Sequence, residues 1–429
     1  MREFTSPAVF VVENSESAVD TVFTRASNAP NSVAFRRLVN GSWSDVTAAS
    51  FAAEVVKVAK GLIAAGVRQG DRVALMSSTR YEWSIIDYAI WASGGVTVPV
   101  YETSSAGQVE WILSDADPVL LVLETDRHVA DTADVVAAHF QRSTGSAHTF
   151  RIDGDTLDSG AIAELTALGA DTSDDEVHAR VAALRSSDPA TLIYTSGTTG
   201  RPKGVQLTHA NLLAESRGIR ETSLNALLRP GSRTLMFLPL AHVLARAVTI
   251  AAFDAGTAVG HTNDIPNLVA TFGTFAPDFI LSVPRVFEKV YNTAKQKAHS
   301  DGKGKIFDAA ADTAVAWSEA QDGRVGAVLR IKHAVFDKLV YAKLRAALGG
   351  QCQLAISGGA PLGARLGHFY RGIGVPIYEG YGLTETSAAF AVNTIGNQRV
   401  GSVGRPLPGN TVRIAQDDEI QLRGPVVFS

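Results

Sequence analysis

Three apolar runs that favour β-strands each lead into a short loop and then into a helical pattern. The runs begin at Thr191, Phe279 and Leu354, and the loops that follow contain Gly, Ser, Thr or Pro. Strands that alternate with helices are typical of a parallel sheet covered by helices, so the sequence predicts an α/β fold. Because ligands of open α/β sheets bind beyond the carboxyl ends of the strands, these loops are the expected place of a binding site.

The composition limits the classes of protein to which the chain can belong. With 429 residues, of which 46% are hydrophobic, the chain exceeds the length at which one core stops growing, so we expect several packed subdomains. A net charge of −4 gives no broad attraction to nucleic acid or to an anionic membrane. Cys352 is the only cysteine, which excludes an internal disulfide framework and a cysteine-rich zinc site and fits a reducing cytosol.

Neither a secretory signal nor a membrane-spanning segment is evident in the sequence. The N-terminus lacks the uninterrupted apolar core of a signal peptide. The apolar stretch 85–100 is interrupted by Asp87 and by Gly94-Gly95, and it is shorter than the roughly 20 residues that a spanning helix needs. We therefore expect a cytoplasmic protein whose lipid contact, if any, is peripheral and at the inner face of the membrane. The sequence leaves open whether the protein forms a homodimer.

The run 194–204, with the sequence YTSGTTGRPKG, carries the most specific signal. Its glycines allow backbone N–H groups to turn inward, its hydroxyls add donors and its lysine adds charge, which together suit the oxygens of a polyphosphate. It is not a P-loop, because that spacing requires glycine where Pro202 stands. The candidate phosphate-binding residues are Thr195, Ser196, Gly197, Thr198, Thr199, Gly200 and Lys203.

Two further motifs follow in the chain, SGGAP at 357–361 and YEGYGLTET at 378–386. In this order, the three motifs resemble those of the adenylate-forming superfamily, which includes acyl-CoA synthetases, peptide-synthetase adenylation domains and insect luciferases. Segments 101–105, 238–246 and 283–291 resemble the long-chain fatty-acid–CoA ligase branch of actinobacterial type. The resemblance covers nearly the whole chain.

The resemblance implies a fold and a domain division. It implies two mixed or parallel sheets sandwiched by helices in five layers, αβαβα, with a small β-barrel-like subdomain near the C-terminal end. Residues 1–429 would form the large N-terminal domain, with αβ subdomains over about 1–350 and a third αβ part with a β-hairpin or barrel over about 351–429. The alternating runs 411–414 and 419–422 flank Asp417-Asp418 and predict that hairpin.

The resemblance also implies the roles of the site residues. Adenine would lie between the turn at Gly358, Gly359 and Ala360 and the ring of Tyr381, where small residues permit close approach and the ring supplies stacking. Mg²⁺ would be held by Thr195 and Glu385, since it prefers oxygen ligands. The further nucleotide-binding residues would be Glu379, Gly380, Gly382, Leu383 and Thr384.

Catalytic roles would fall to Thr195, Glu385, His242 and Lys203, with Lys203 near the β- and γ-phosphates. A channel for the acyl group and CoA would be lined by His242, Arg285, Gly359 and Gly380. His242 has an alternative role as a hydrogen-bonded structural residue.

The implied reaction is the ATP- and Mg²⁺-dependent conversion of a long-chain fatty acid to acyl-AMP and then, with CoA, to acyl-CoA. Within this reaction class, the acceptor could instead be a carrier protein, or the acid could be short or aromatic. A non-catalytic acyl or nucleotide binder is a further alternative. A serine hydrolase is excluded, because neither Ser196 nor Ser357 lies in G-x-S-x-G. A dinucleotide-binding dehydrogenase is excluded, because Glu385 stands where the third glycine is required.

The family pattern extends further than the 429 residues of this chain. Members carry a ribose-binding aspartate, a hinge and a small C-terminal domain with a catalytic lysine, none of which this chain contains. We therefore expect the chain to bind nucleotide but to form adenylate slowly, since loss of one transition-state donor costs about 10²- to 10³-fold in rate.

Overall fold

The computed structural model describes residues 2–143, 149–154, 159–195, 200–321 and 323–428. Its strands, in chain order, are β1 (Glu3–Thr5), β2 (Val33–Val39), β3 (Ser42–Thr47), β4 (Arg72–Met76), β5 (Val96–Val100), β6 (Leu120–Leu123), β7 (Thr149–Arg151), β8 (Pro189–Thr195), β9 (Lys203–Thr208), β10 (Arg233–Met236), β11 (Ala258–His261), β12 (Phe279–Ser282), β13 (Leu354–Ser357), β14 (Ile377–Tyr381), β15 (Ala391–Val392), β16 (Arg405–Pro406), β17 (Thr411–Ile414) and β18 (Ile420–Arg423).

The helices separate most of these strands in the chain. They are α1 (Asp20–Asn28), α2 (Ala48–Ala64), α3 (Tyr81–Ala92), α4 (Ala106–Ala116), α5 (Asp126–Ser143), α6 (Ala161–Leu168), α7 (Asp174–Ala183), α8 (His209–Arg220), α9 (Val243–Asp254), α10 (Leu268–Phe275), α11 (Pro284–Ser300), α12 (Gly304–Ala320), α13 (Ala327–Phe336), α14 (Ala342–Ala347) and α15 (Ala364–Gly372). Short 3₁₀ turns lie at Ser223–Ala226 and Thr384–Thr386, and a π turn at Asp337–Tyr341 joins α13 to α14.

Within the described residues, the strands form three sheets. The large sheet has the order β16-β15-β14-β13-β12-β10-β11-β2-β3, and its central pairs from β14 to β2 are parallel. The second sheet has the order β7-β6-β4-β5-β8-β9 and is parallel except where β8 meets β9. The predicted α/β fold with two mixed or parallel sheets is confirmed.

Apolar packing separates the helices into layers. Trp91 of α3 and Phe253 of α9 belong to one core that lies between the two sheets. Tyr370 of α15 belongs to a core on the outer face of the large sheet, and Phe140 of α5 belongs to a core on the outer face of the second sheet. Helices therefore cover both faces of both sheets, which gives the predicted succession of five layers.

Local signals in the sequence place several helix starts correctly. Thr208 caps α8, where its hydroxyl accepts a hydrogen bond from the Asn211 N–H at 3.2 Å, and the Asn211 side chain accepts from the Thr208 N–H in return. Pro284 is the first residue of α11, a position where the N–H it lacks would be unpaired. These caps fix where the chain leaves the strands that precede α8 and α11.

The end of the chain differs from the prediction. The predicted hairpin is present as β17 and β18, but the described residues there form an open sheet of order β1-β17-β18, to which the N-terminal residues Glu3–Thr5 contribute a strand. A barrel-like subdomain is therefore not confirmed. The division of the chain at about residue 350 stays a prediction, and the large sheet takes strands from both sides of that position.

Two further features of the fold concern Cys352 and the membrane. Cys352 is buried, and burial raises the pKa of its thiol to about 12. No helix in the described part of the chain is both long and apolar enough to cross a bilayer.

Candidate active site

A cavity of about 590 Å³ lies beyond the carboxyl ends of β8, β13 and β14. Thr195 is the last residue of β8 in the second sheet, whereas Ser357 and Tyr381 end β13 and β14 in the large sheet. All three residues line the cavity, which therefore lies between strand ends of the two sheets. This is the position at which open α/β sheets bind ligands.

Residues from all three motifs contribute to the wall of this cavity. The predicted site residues that line it are Thr195, Lys203, His242, Gly358, Gly359, Gly380, Tyr381, Gly382, Leu383, Thr384 and Glu385. Residues far apart in the chain are thus brought to one site. Their roles toward a ligand stay predictions.

Other predicted site residues lie elsewhere. Ser196, Gly197, Thr198 and Thr199 fall outside the described residues. Gly200, Ala360 and Arg285 are exposed and are not part of the cavity wall. Glu379 is also outside the wall, because its buried carboxylate accepts a hydrogen bond from the Leu362 N–H at 2.9 Å. This bond makes Glu379 a support for the loop that follows β13.

Antiparallel pairing of β8 with β9 brings Thr195 and Lys203 together. The two residues are directly opposite each other in the register. The hydroxyl of Thr195 and the ammonium of Lys203 are thereby placed on one side of the site.

Backbone conformation accounts for Gly359 and a close side-chain contact accounts for Gly358, the two glycines of the turn after β13. Gly359 has a φ of +80°, a conformation that L side chains rarely adopt. A Cβ on Gly358 would lie 3.3 Å from the Leu244 side chain. The backbone at Gly358 and Gly359 therefore carries no side chain at the cavity, which allows a ligand to approach it closely.

The turn after β14 carries Glu385 and has a strained backbone. Ser387 and Ala388 have φ values of +59° and +115°, which are uncommon for residues other than glycine. A Cβ on Gly382 would lie 1.5 Å from the Ala388 carbonyl oxygen, so only glycine fits there. The Phe428 N–H donates to the Glu385 carbonyl oxygen at 2.8 Å and holds the turn from the other side.

His242 precedes α9 and acts as its N-cap. Its Nδ1 accepts a hydrogen bond from the Leu244 N–H at 3.1 Å, so a neutral ring carries its proton on Nε2. The ring faces the open cavity, while the surrounding protein lowers the pKa of the imidazole by desolvation. His242 is therefore hydrogen bonded as a structural residue and also lines the cavity, while its role in an acyl or CoA channel stays a prediction.

The donors at the cavity fit a hard cation that shares its ligands with a substrate. Thr195 and Glu385 contribute a hydroxyl and a carboxylate to the same wall. Within the described residues, no group of three or more His, Cys, Asp or Glu side chains could hold a metal by itself. Mg²⁺ is commonly held by one or two protein oxygens together with phosphate oxygens and water, so the two residues fit Mg²⁺ accompanied by a phosphate ligand.

Comparison with known proteins identifies the family. The sequence model of the AMP-binding enzyme family matches residues 22–428. The chain belongs to the AMP-binding enzymes. It is 54% identical over 432 aligned residues to the long-chain-fatty-acid–CoA ligase FadD15 of Mycobacterium bovis, covering 100% of this chain and 70% of that protein. It is 32% identical to the peroxisomal long chain acyl-CoA synthetase 7 of Arabidopsis thaliana, covering 90% of this chain and 57% of that protein.

Solved structures support the fold of this AMP-binding enzyme. The crystal structure of the N-terminal domain of FACL13 from Mycobacterium tuberculosis superposes with a TM-score of 0.69 at 20% identity, covering 96% of this chain and 91% of that one. The long-chain-fatty-acid–CoA ligase FadD1 of Archaeoglobus fulgidus gives a TM-score of 0.72 at 16% identity, covering 99% of this chain and 78% of that one.

The apolar part of the cavity wall is absent from the predicted site residues of this AMP-binding enzyme. The additional apolar lining residues are Ile219, Leu224, Val243, Leu244, Val248, Ile356, Ala388, Ala389 and Val392, and Ser357 of the SGGAP motif also lines the cavity. Val243 and Leu244 lie in the segment 238–246, whereas no motif marks the other apolar residues. The four-residue spacing of Leu244 and Val248 shows that they share a face of α9, but the sequence cannot tell a cavity-facing side from a core-facing side.

Glu215 is a buried carboxylate behind this wall. Its Oε1 accepts a hydrogen bond from the Ala389 N–H at 2.8 Å, and its Oε2 has no hydrogen-bond partner among the described residues. Burial raises the pKa of Glu215 well above its ordinary value. Glu215 thus holds the strained turn at the point where Ala388 and Ala389 line the cavity.

A buried ion pair fixes α9 from the side opposite the site. The Arg246 guanidinium donates to the Asp87 carboxylate of α3 at 2.9 and 2.5 Å and to the Thr191 hydroxyl of β8 at 2.5 Å. Arg246 also lies over the rings of Trp83 and Trp91. One side chain therefore ties α9, whose cap is His242, to the second sheet.

Proposed function

We propose that this AMP-binding enzyme provides the site at which ATP activates a long-chain fatty acid. The acid attacks the α-phosphate to give acyl-AMP and pyrophosphate, and CoA then displaces AMP to give acyl-CoA. The observation that carries the proposal is a single cavity with a polar side, at Thr195, Lys203 and Glu385, and an apolar side, at Val243 and Val248. A nucleotide and an aliphatic chain need these two surfaces next to each other.

The chemistry of each side chain supports a division of roles. We assign adenine to the space between Gly358 and the Tyr381 ring, and the β- and γ-phosphates to Lys203. Mg²⁺ on the oxygens of Thr195 and Glu385 would neutralise phosphate charge. The remaining proposed nucleotide contacts are Ser196, Gly197, Thr198, Thr199, Gly200, Gly359, Ala360, Gly380, Gly382, Leu383 and Thr384, and Glu379 would support them by holding the loop after β13.

The acyl and CoA assignments rest on a smaller set of residues. His242 lies at the start of α9, whose next turns supply the apolar wall, so we place it where the acyl and CoA paths join. Gly359, Gly380 and Arg285 complete this proposed channel. The long-chain preference is supported by the bacterial and plant relatives, which are named as long-chain ligases or synthetases.

Calorimetric titration of the 429-residue chain tests the proposal. The ligands are non-hydrolysable palmitoyl-adenylate and acetyl-adenylate analogues, each with and without Mg²⁺. We expect the palmitoyl analogue to bind more tightly, since each buried methylene contributes about 0.8 kcal/mol. Equal affinities would overturn the long-chain assignment, and failure of both analogues and of ATP to bind would overturn the site itself.

Two further proposals concern the cellular location of the protein and its oligomeric state. We place the chain in the cytoplasm, which is supported by its single, buried cysteine. Light scattering after gel filtration would test the open prediction of a homodimer.

A further inference from the structure

Helix α13 and the π turn after it expose a continuous apolar stripe. Val328, Ile331, Val335 and Leu339 are 69%, 67%, 50% and 52% exposed, respectively. Their spacing of three, four and four residues places them on one face of the helix. We call these four side chains the α13 stripe. Large apolar side chains are scattered singly on most surfaces, but a contiguous stripe marks an interaction site.

The opposite face of the same helix is firmly packed. His333 hydrogen bonds through Nε2 to the Gly372 carbonyl oxygen at 2.7 Å and stacks on Trp317 with ring centroids 4.1 Å apart. Phe336 and Val340 pack against the core of buried residues on the outer face of the large sheet. The helix is thus held in place by one face, and the α13 stripe is the face that remains in solvent.

Two exposed lysines, Lys332 and Lys338, lie beside the α13 stripe on the surface of the helical segment. Arg324, Arg330 and Lys343 are the other exposed basic residues of the segment 324–343. Within the described residues, none of them forms an ion pair, and Asp337 is already paired with Arg345 at 2.7 Å. A chain with a net charge of −4 therefore carries positive charge beside the α13 stripe.

We propose that the α13 stripe and its basic flanks dock on an anionic lipid bilayer. Apolar side chains on one face with Lys and Arg beside them are typical of helices that lie in the plane of a membrane interface. Each basic residue near an anionic surface strengthens binding about five-fold. Docking at this helix does not depend on which acid the cavity takes.

Charge complementarity favours a bilayer over a second copy of the chain. A two-fold symmetric contact places the same patch on both subunits, so it would bring the lysines beside the stripe of one copy close to those of the other. Asp337 could not compensate them because Arg345 occupies it. Anionic head groups, in contrast, neutralise the cations while the acyl region receives the four apolar side chains.

Vesicle co-sedimentation with the 429-residue chain tests the proposal. We expect binding to phosphatidylcholine vesicles that contain phosphatidylglycerol, weak binding to phosphatidylcholine alone, and loss of binding as salt concentration rises. Ile331→Gln with Val335→Gln should abolish binding. Lys332→Gln with Lys338→Gln should weaken binding to the anionic vesicles about 25-fold.

Matched substitutions elsewhere provide the controls. Val269→Gln removes an apolar side chain that is 47% exposed on α10, and Lys57→Gln removes an exposed basic residue on α2. Both should bind as the parent does, and all variants should keep its melting temperature. The proposal is overturned if the parent ignores anionic vesicles, if the stripe variants bind as the controls do, or if the parent is a dimer that the stripe variants convert to monomer.

Discussion

At the scale of single residues, the turn after β14 depends on the absence of a side chain at Gly382. A Cβ there would lie 1.5 Å from the Ala388 carbonyl oxygen, and backbone atoms cannot yield as a flexible side chain can. We expect Gly382→Ala to lower the free energy of unfolding by about 1–3 kcal/mol, as overpacking does. Gly273→Ala is the control, since Gly273 lies in α10 with no atom within 4 Å of its Cβ position. Urea denaturation measures both, and equal stability of the two variants would contradict the steric role.

Glu215 gives a second prediction at this scale, because Glu215→Gln removes its charge but keeps its hydrogen-bond acceptor, whereas Glu215→Ala removes both. Burial raises the pKa of Glu215 and so favours its neutral form, which Gln resembles, so Glu215→Gln should preserve the bond from the Ala389 N–H. Glu215→Ala leaves that N–H unpaired and should cost about 1–3 kcal/mol of unfolding free energy. Denaturation curves at neutral pH distinguish the two, and a glutamine variant as unstable as the alanine variant would exclude a neutral Glu215.

The same carboxyl group gives a pH dependence with a definite sign. Its pKa in the folded state lies above the ordinary value of 4.5, so between these two pKa values the folded state binds more protons than the unfolded state. The stability of the parent should therefore fall as pH rises above 4.5, relative to that of Glu215→Gln. Parallel melts across that range test this, and a constant difference between the two proteins would contradict it.

At the scale of elements, the Asp87–Arg246 pair joins α3 and α9 inside the central helical layer. Their side chains are only 3% and 2% exposed. Removing one partner leaves the other charge buried and unpaired, so Asp87→Ala should cost about 3–5 kcal/mol of unfolding free energy. Asp131→Ala removes the exposed pair with Arg127, whose side chains are 60% and 87% exposed, and should cost at most about 1 kcal/mol. Similar losses in both variants would mean that the buried pair does not hold α9.

At the scale of the whole molecule, the sequence predicts what is local and repeated. The alternation of strands, loops and helices predicts the fold class, and Thr208, a residue type that favours helix N-caps, lies at the start of α8. Asp87 is visible in the sequence as a charge in an apolar stretch, but its partner Arg246 lies 159 residues away and no pattern connects them. Glu215 and Ala389 are 174 residues apart, and they meet only because α8, which follows the second sheet, packs against the turn after β14 of the large sheet. Tertiary contacts of this kind also determine the apolar wall of the cavity.

Ligand binding at the cavity should stabilise the whole molecule, because Thr195 belongs to the second sheet and Glu385 follows a strand of the large sheet. ATP with Mg²⁺ at one hundred times its dissociation constant should raise the free energy of unfolding by about 2.7 kcal/mol.

Glu385→Ala should remove the part of this increase that needs Mg²⁺ and leave the stability of the free protein unchanged, since Glu385 is only partly buried and supports no core. Glu288→Ala, which removes an exposed carboxylate of α11, should retain the full increase. Thermal melts with ATP, with and without Mg²⁺, measure the difference. A Glu385→Ala variant that Mg²⁺ stabilises as much as it does the parent would take Glu385 out of the metal site, and the metal would then not link the two sheets, because Thr195 and Lys203 both belong to the second sheet.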